Sequence, residues 1–433
     1  MSSDRRATHP WYPWFVLGVL LLISMLSFLD RQILSLLVAP IRAEFQVSDA
    51  QVGLLLGGAF ALAYSFAGLP LSYVADRGHR RNLIIAALLF WSLATAATAM
   101  ARSFGDLLLA RAALAIGEAA LAPAAYSLIA AYFPPHQAAR ATSVYALGVY
   151  LGIGVAVLVG GVLLRLVESG AGWMLPVIGA VRPWQAVLLV LGAVGPALAL
   201  LLLAVREPPR ALAPAPAGRA EWGLLKGRWP AILLLAAGFA LMGLSGYASA
   251  AWLPSYFART HGWSVANFGM AYGAIVMVFG SAGALFGGWL TDRWMAAGHR
   301  DAALRVGLAS SVGSVVFGLW FLLPIDSRIA AALIAPATFL ITMTGGVWAA
   351  GLRMLAPASM LGRVTAVCLL LMTLAGLGLG PTLVGWLSHR LSDGSGTLAL
   401  PLLIVCGGAQ LLGGLALWAA RGPYLAVIRL ATG

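Results

Sequence analysis

The chain has 433 residues, 61% of them hydrophobic and only 9% charged, with a mean hydropathy of +0.92. Soluble domains run near about 45–50% apolar and about 25% charged, so this is a polytopic membrane protein and soluble-domain reasoning does not apply. The formal net charge of +13 would admit nucleic-acid or acidic partners if it were clustered, but it is spread over short loops between apolar runs, which excludes nucleic-acid binding.

Arg5 and Arg6 precede the first apolar run in the manner of a signal peptide. No small-residue cleavage site closes that run, which continues through Asp30 into a further apolar stretch, so it predicts an uncleaved first helix. The arginine pair is followed by Ala-Thr-His-Pro, unlike a twin-arginine signal.

Runs of about 20 apolar residues are long enough to cross a bilayer. They predict twelve spans, at 14–38, 51–74, 82–101, 104–131, 138–165, 184–205, 229–256, 266–290, 303–323, 329–352, 361–387 and 398–420. With both termini on one side, that side collects 18 of the 27 Lys and Arg residues, the other side collects 7, and 2 lie in the membrane. The positive-inside rule then places both termini in the cytoplasm of a cytoplasmic (inner) membrane protein.

The longest polar break, 206–228, carries four prolines, which predicts an extended, semi-rigid tether. It divides the chain into an N-terminal six-helix bundle (1–206), a cytoplasmic linker (207–228) and a C-terminal six-helix bundle (229–433). A weak repeat supports the division: Val74-Ala75-Asp76-Arg77-Gly78-His79-Arg80-Arg81 after span 2 answers Leu290-Thr291-Asp292-Arg293 after span 8. The two aspartates are 216 residues apart, about half the chain, as expected of parallel repeats that rock about a midplane site.

Twelve spans, a central loop and the Asp76-Arg77…Arg80-Arg81 segment resemble the major facilitator superfamily over essentially the whole chain. The loop departs from the family pattern, with Ser72 and His79 where glycines are usual; the second copy keeps Gly288. Ser27-Phe28-Leu29-Asp30-Arg31, Arg111 with Gly117-Glu118-Ala119, and Trp252 through Arg259 to His261-Gly262 together resemble the spinster branch. That resemblance implies an all-α fold of two pseudo-symmetric six-helix bundles, transport by alternating access, a span-1 aspartate linked to proton coupling, and substrates of the lysolipid or sphingoid-phosphate kind.

Four ionisable residues lie inside otherwise apolar spans: Asp30 and Arg31 in the first, Arg111 and Glu118 in the fourth. Each costs roughly 2.5–3.5 kcal/mol at a bilayer centre on insertion scales, so a bundle keeps them only where they face one another or water. Arg111 and Glu118 share one helix face about 10 Å apart, and Asp30 reaches a depth similar to that of Arg111. An Asp30–Arg111 pair and an Asp30–Arg31–Glu118 network are both permitted. A carboxylate beside an arginine can take and release a proton as water access changes, whereas arginine stays charged. Asp30 and Glu118 are therefore the candidate proton-coupling groups, and Arg31 and Arg111 their charge partners or the anchors of an anionic head group. A fixed charge network that never titrates is the competing structural reading.

The C-terminal spans hold no such charges in their interiors, which predicts that ion coupling belongs to the N-terminal half and that the other half offers an apolar wall. Tyr247, Trp252, Tyr256, Tyr272 and Trp348 are the candidates to line it. Asp76, Arg77, Arg80, Arg81, Asp292 and Arg293 read as a cytoplasmic gate, with Asp76 set against the positive N-terminus of span 11. Glycines in span 5 (Gly148, Gly152, Gly154, Gly160, Gly161) and span 11 (Gly376, Gly378, Gly380, Gly385) predict close helix packing. Cys368 and Cys406 are expected to pack as membrane thiols, and His136 and His261 to lie near loops.

No nucleophile–base pair, metal-ligand cluster or nucleotide loop is legible, so the chain is not expected to be an enzyme or to hold a cofactor beyond the coupling proton. The expected function is proton-coupled secondary transport of a lysolipid-like amphiphile by a monomer in the lipid bilayer. A small organic-anion/proton symporter is the alternative within the class, and a non-transporting receptor or a lipid scramblase the alternative outside it.

Overall fold

The structure is a computed structural model describing residues 11–168, 173–175, 179–209, 225–357, 360–391 and 397–432. Arg5, Arg6 and most of the proline-containing tether lie outside the described residues.

Among the described residues, twelve helices are long and apolar enough to cross a membrane. Spans 1–6 are Tyr12–Leu36, Asp49–Arg77, Arg80–Thr98, Phe104–Tyr132, Arg140–Leu163 and Pro183–Leu203. Spans 7–12 are Trp229–His261, Val265–Ala296, Ala302–Leu322, Ser327–Leu355, Leu361–Leu391 and Ala399–Arg429. Each overlaps its expected run; some, such as spans 1, 3 and 6, stop a few residues short at one end, and several extend beyond the apolar limits by one or two polar turns. Span 2, for example, starts at Asp49 because Ser48 caps it: its hydroxyl accepts from the Gln51 amide while the Gln51 side chain accepts from the Ser48 amide. The all-α expectation needs one small addition, an antiparallel ribbon in the loop between spans 5 and 6 that pairs Trp173–Leu175 with Gly179–Val181.

The twofold repeat reappears in some of the irregular turns, while the π turns of spans 11 and 12, Thr373–Leu379 and Leu403–Gly407, have no counterpart among the described residues of spans 5 and 6. Spans 2 and 8 each contain a single π turn, at Leu54–Gly58 and Val276–Gly280. Spans 4 and 10 are each broken near the middle, between Glu118 and Leu121 and between Thr342 and Val347. Such defects free backbone groups from the helical ladder, and in membranes they are tolerated where protein or a cavity surrounds them.

Three apolar cores organise the bundle. One is built almost wholly from the N-terminal half, around Leu20, Phe60, Trp91 and Leu128. A second belongs to the C-terminal half, around Leu235, Leu304, Leu352 and Tyr424. The third joins the halves, packing Leu36, Val52 and Trp184 with Trp252, Phe257, Tyr272 and Val384. Its members come from the halves of the spans nearer Asp49 and Arg259. At that end the two halves share a core; at the opposite end, where Asp76 and Asp292 are exposed, each half has its own. The molecule is closed at the Asp49 end and split at the Asp76 end.

Glycines permit the shared packing. A Cβ on Gly57 would meet the Leu377 carbonyl at 2.6 Å, and one on Gly273 would meet the Gly154 carbonyl at 2.5 Å. Spans 2 and 11, and spans 5 and 8, therefore touch backbone to backbone across the halves, as small residues allow.

Candidate functional site

The four membrane charges meet between spans 1 and 4. Glu118 ends the first segment of span 4, at its break, and one oxygen accepts from Ser27 Oγ at 2.7 Å and Arg31 Nε at 2.6 Å. Arg111, one to two turns earlier, donates from its two terminal nitrogens to the main-chain carbonyls of Asp30 and Arg31, both at 3.1 Å. Asp30, Arg111 and Glu118 are buried, while the Arg31 side chain keeps 15% of its surface.

Of the two arrangements the sequence permits, the structure forms the Arg31–Glu118 contact of the network and no direct Asp30–Arg111 ion pair. Arg111 holds the backbone of span 1 and not the Asp30 carboxylate, although it remains an electrostatic neighbour of that group. Arg31, the charge that could have snorkelled, makes the direct ion pair with Glu118. The reason is the 100° between successive helical side chains: it sends Arg31 toward Glu118 and Asp30 toward span 3, where Trp91 and Thr95 face it.

Rings surround the cations. The Arg31 guanidinium lies 4.8, 4.9 and 4.8 Å from the centroids of Phe28, Phe60 and Tyr64, and that of Arg111 lies 4.7 Å from Phe60. Each such contact is worth about 0.5–2 kcal/mol, more when water is excluded. Tyr247 of span 7 also reaches the electrostatic neighbourhood of Arg31, bringing in the other half. Several polar atoms of the cluster stay without a hydrogen-bond partner: Asp30 Oδ1, Glu118 Oε1, Arg111 Nε and Trp91 Nε1. Buried polar atoms are nearly always paired, which sets these four apart from most others in the bundle.

The expected cavity wall is mostly elsewhere. Trp252, Tyr256 and Tyr272 belong to the shared core at the closed end. Trp252 Nε1 donates to the Pro381 carbonyl at 2.9 Å, the Tyr256 hydroxyl to the Phe321 carbonyl at 3.4 Å, and Tyr272 stacks on Phe268 at 5.4 Å. Their apolar bodies close the helix bundle instead of facing the charges. Trp348 packs on the core of the C-terminal half, which leaves Tyr247 as the wall residue near the cluster.

The expected cytoplasmic gate is not engaged in this conformation. Asp76 and Asp292 are exposed, Arg77 lies over the ring of Tyr73, and Arg293 over that of Trp289. Arg80 and Arg81 bind within their own half: Arg80 Nε donates to Glu207 at 2.7 Å, and Arg81 donates its amide to Glu207 and its guanidinium to the Val205 carbonyl. They staple the start of span 3 to the end of span 6. They therefore cannot, as placed, hold one half against the other.

The contacts that do cross the halves lie at the closed end and were missed in the sequence. Arg259 of span 7 grips Asp49 of span 2 through two hydrogen bonds of 2.7 and 2.8 Å. Ser388 of span 11 donates to the same carboxylate at 2.8 Å, and Arg42 approaches it at 3.1 Å. Asp49 lies outside the expected apolar limits of span 2, and nothing in the local sequence linked it to a residue 210 positions away. Gln32 Nε2, donating to the Ala250 carbonyl at 2.6 Å, is a second crossing contact nearer the charge cluster.

A bundle of twelve spans in two halves, closed at one end and lined at its centre by buried charge, defines a multi-pass membrane transporter. The sequence pattern of the Major Facilitator Superfamily matches residues 20–381, and the chain belongs to that family, on its spinster branch. It is 29% identical to a protein of Mycolicibacterium smegmatis named an MFS-type efflux pump, over 98% of this chain and 96% of that one. Against protein spinster homolog 1 of Xenopus tropicalis it is 27% identical over 70% of this chain and 59% of the relative. A probable L-galactonate transporter of Escherichia coli is 27% identical over 64% of this chain and 60% of its own length. Among solved structures, a bacterial homolog to the human lysosomal transporter Spinster, inward-facing and unoccupied, superimposes with a TM-score of 0.77 at 27% identity, covering 98% of both chains.

Proposed function

We propose that the protein is a proton-coupled secondary active transporter that moves an amphipathic, lysolipid-like substrate by rocking its two halves. The observation that supports this most is the pair of buried carboxylates, Asp30 and Glu118, each with an unpartnered oxygen, set beside Arg31 and Arg111. Arginine cannot give up its proton, so the carboxylates are the groups able to carry one. Protonating Glu118 releases Arg31 to an anionic head group; returning the carboxylate to its charged form recaptures the guanidinium. The rings of Phe28, Phe60, Tyr64 and, from the facing half, Tyr247 give an apolar moiety a surface beside that cation.

The closed end is assigned to the outside and the split end to the cytoplasm, with both termini cytoplasmic in the inner membrane. Arg77, Arg80 and Arg81 lie at the split end, as the positive-inside rule asks. The conformation is then inward-facing. Asp76 and Asp292 are proposed to engage only when the cytoplasmic side shuts, and protons are the proposed coupling species, with no cofactor and a monomeric unit.

A small organic anion carried by proton symport is a second reading, supported by the relative named as a probable L-galactonate transporter. Reconstituted liposomes separate the two. Substrate-dependent proton movement with a lysolipid supports the first, and the same with a sugar acid supports the second. Asp30→Asn and Glu118→Gln should each abolish proton movement while leaving the protein folded. If both variants couple normally, neither reading stands.

A further inference from the structure

The closed end holds a hollow that the transport cycle described above does not use. Its walls come from both halves: Ser35, Leu36 and Ala39 at the end of span 1 and just beyond it, Ser255 and Ala258 near the end of span 7, and Val265 at the start of span 8. The volume is about 190 Å³, the space of roughly six liquid waters, which suits a short alkyl segment.

Polarity changes along its length. The wall is mostly apolar, with Leu36, Val38, Ala258 and Val265 beside the hydroxyls of Ser35 and Ser255, and because spans 1 and 7 both run toward the closed end, Arg42 and Arg259 stand at the mouth. A second, more open hollow of about 490 Å³ shares Arg42 and is bordered by Gln46, Ser48 and His389. The mouth is cationic overall. Arg42 and Arg259 both lean on the single carboxylate of Asp49, which neutralises only one of them. Arg42 keeps 38% of its side-chain surface, so its guanidinium remains open to a further anion.

We propose that this hollow is a second binding site, separate from the Asp30–Glu118 cluster, for a single-chain anionic amphiphile drawn from the outer leaflet. The chain enters the apolar channel between spans 1 and 7, and the anionic head rests on Arg42 with Arg259 behind it. Charge complementarity and the apolar wall select this class: a free anion has no use for the channel, and a zwitterion gains less from the unbalanced cation. Because one wall belongs to each half, an occupant binds only when the outer side is shut. It stabilises the inward-facing form by its differential affinity and acts as a brake on the cycle.

The test uses the full-length transporter in phosphatidylcholine nanodiscs, titrated with decyl phosphate, decylphosphocholine or inorganic phosphate, with empty discs subtracted. Saturable binding of decyl phosphate is expected, at least tenfold tighter than that of decylphosphocholine and absent for inorganic phosphate. Ala258→Phe, which fills the channel, and Arg42→Gln should each weaken it at least tenfold. Should Ala258→Phe not fold, Ala39→Trp, at an exposed wall position, replaces it. Arg31→Gln, which disrupts the central cluster, should leave the binding intact. Equal binding of inorganic phosphate would make this a bare anion site. Equal binding of decylphosphocholine would remove the role of the arginines, and loss with Arg31→Gln but not with Ala258→Phe would move the ligand to the centre. Any of the three overturns the proposal.

Discussion

Arg259 places two guanidinium nitrogens on the two oxygens of Asp49, at 2.8 and 2.7 Å, and so fastens span 7 to span 2 across the two halves. Two-point arginine–carboxylate contacts combine charge with fixed direction, and here Ser388 and Arg42 converge on the same carboxylate. Opening the closed end requires the Arg259 and Ser388 contacts to break together, whereas Arg42 lies in the same half as Asp49. Asp49 is the shared acceptor, so its removal releases three donors at once.

Replacing Asp49 with Asn, or Arg259 with Gln, should therefore shift the population toward forms open at this end. Charge-assisted hydrogen bonds contribute about 1.5–3 kcal/mol, so a loss of about 2 kcal/mol predicts a shift of roughly 30-fold. Spin labels at Arg102→Cys and Arg328→Cys, exposed on the closed-end loops of the two halves, report it as a longer distance. An unchanged distance distribution in both variants would show that the shared apolar core alone keeps this end shut.

The Arg31–Glu118 pair carries a different expectation. Glu118→Gln strands a mostly buried guanidinium, and breaking one side of a buried pair costs about 3–5 kcal/mol, so transport should fall about 100-fold or more. Arg31→Lys keeps the charge but loses the flat contact with Phe28, Phe60 and Tyr64; about tenfold loss is expected. Initial rates of uptake in liposomes measure both. A Lys variant equal to wild type would mean that charge alone matters at this position.

Close packing of spans 5 and 8 makes Gly273 sensitive to size. A Cβ there meets the Gly154 carbonyl at 2.5 Å and the Leu158 amide at 2.9 Å, with backbone on both counts. Gly273→Leu should force the spans apart and disfavour the outer-closed form, with overpacking costing about 1–3 kcal/mol. Modification of an outer-face cysteine near the seam by a membrane-impermeant reagent should quicken several-fold. Unaltered reactivity would place the hinge of the motion elsewhere.

Asp301, just before span 9, ties that span to span 12 through Arg305 and Arg421, each at 2.8 Å. Burial pushes its carboxyl up, but the hydrogen bonds and charges of the two arginines outweigh this and hold it below the usual range. Stability from a depressed carboxylate is fully present above the unfolded value, about 3.9, and is lost as pH falls through the folded value. Asp301→Asn should lower the Tm by about 2–4 °C at neutral pH, the effect of roughly 1 kcal/mol once solvent screening is allowed for. The gap between variant and wild type should close below about pH 4; a gap that persists in acid would rule out the ion pairs as its cause.

The sequence by itself determined the twelve spans, their division into halves and the residues that carry charge into the membrane. Each of these follows from the cost of placing polar groups in hydrocarbon, which every residue pays independently of its partners. The placement of Asp30, Arg31, Arg111 and Glu118 inside spans 1 and 4 was legible for the same reason, as was the close approach that the glycines of spans 5 and 11 permit. Partners were another matter. Whether Arg111 met a carboxylate or a carbonyl, and whether Arg31 met Glu118 or lipid, turned on helix rotation and on the break after Glu118, set by packing between spans. Trp252, Tyr256 and Tyr272 looked like wall residues because an aromatic ring suits a cavity and a core equally well. Asp49 and Arg259 showed the limit most clearly: each is an ordinary charge at a helix end, and only the shared core at the closed end brought them together. Solvation is a local property and can be read along the chain; a contact 210 residues apart depends on the arrangement of everything between.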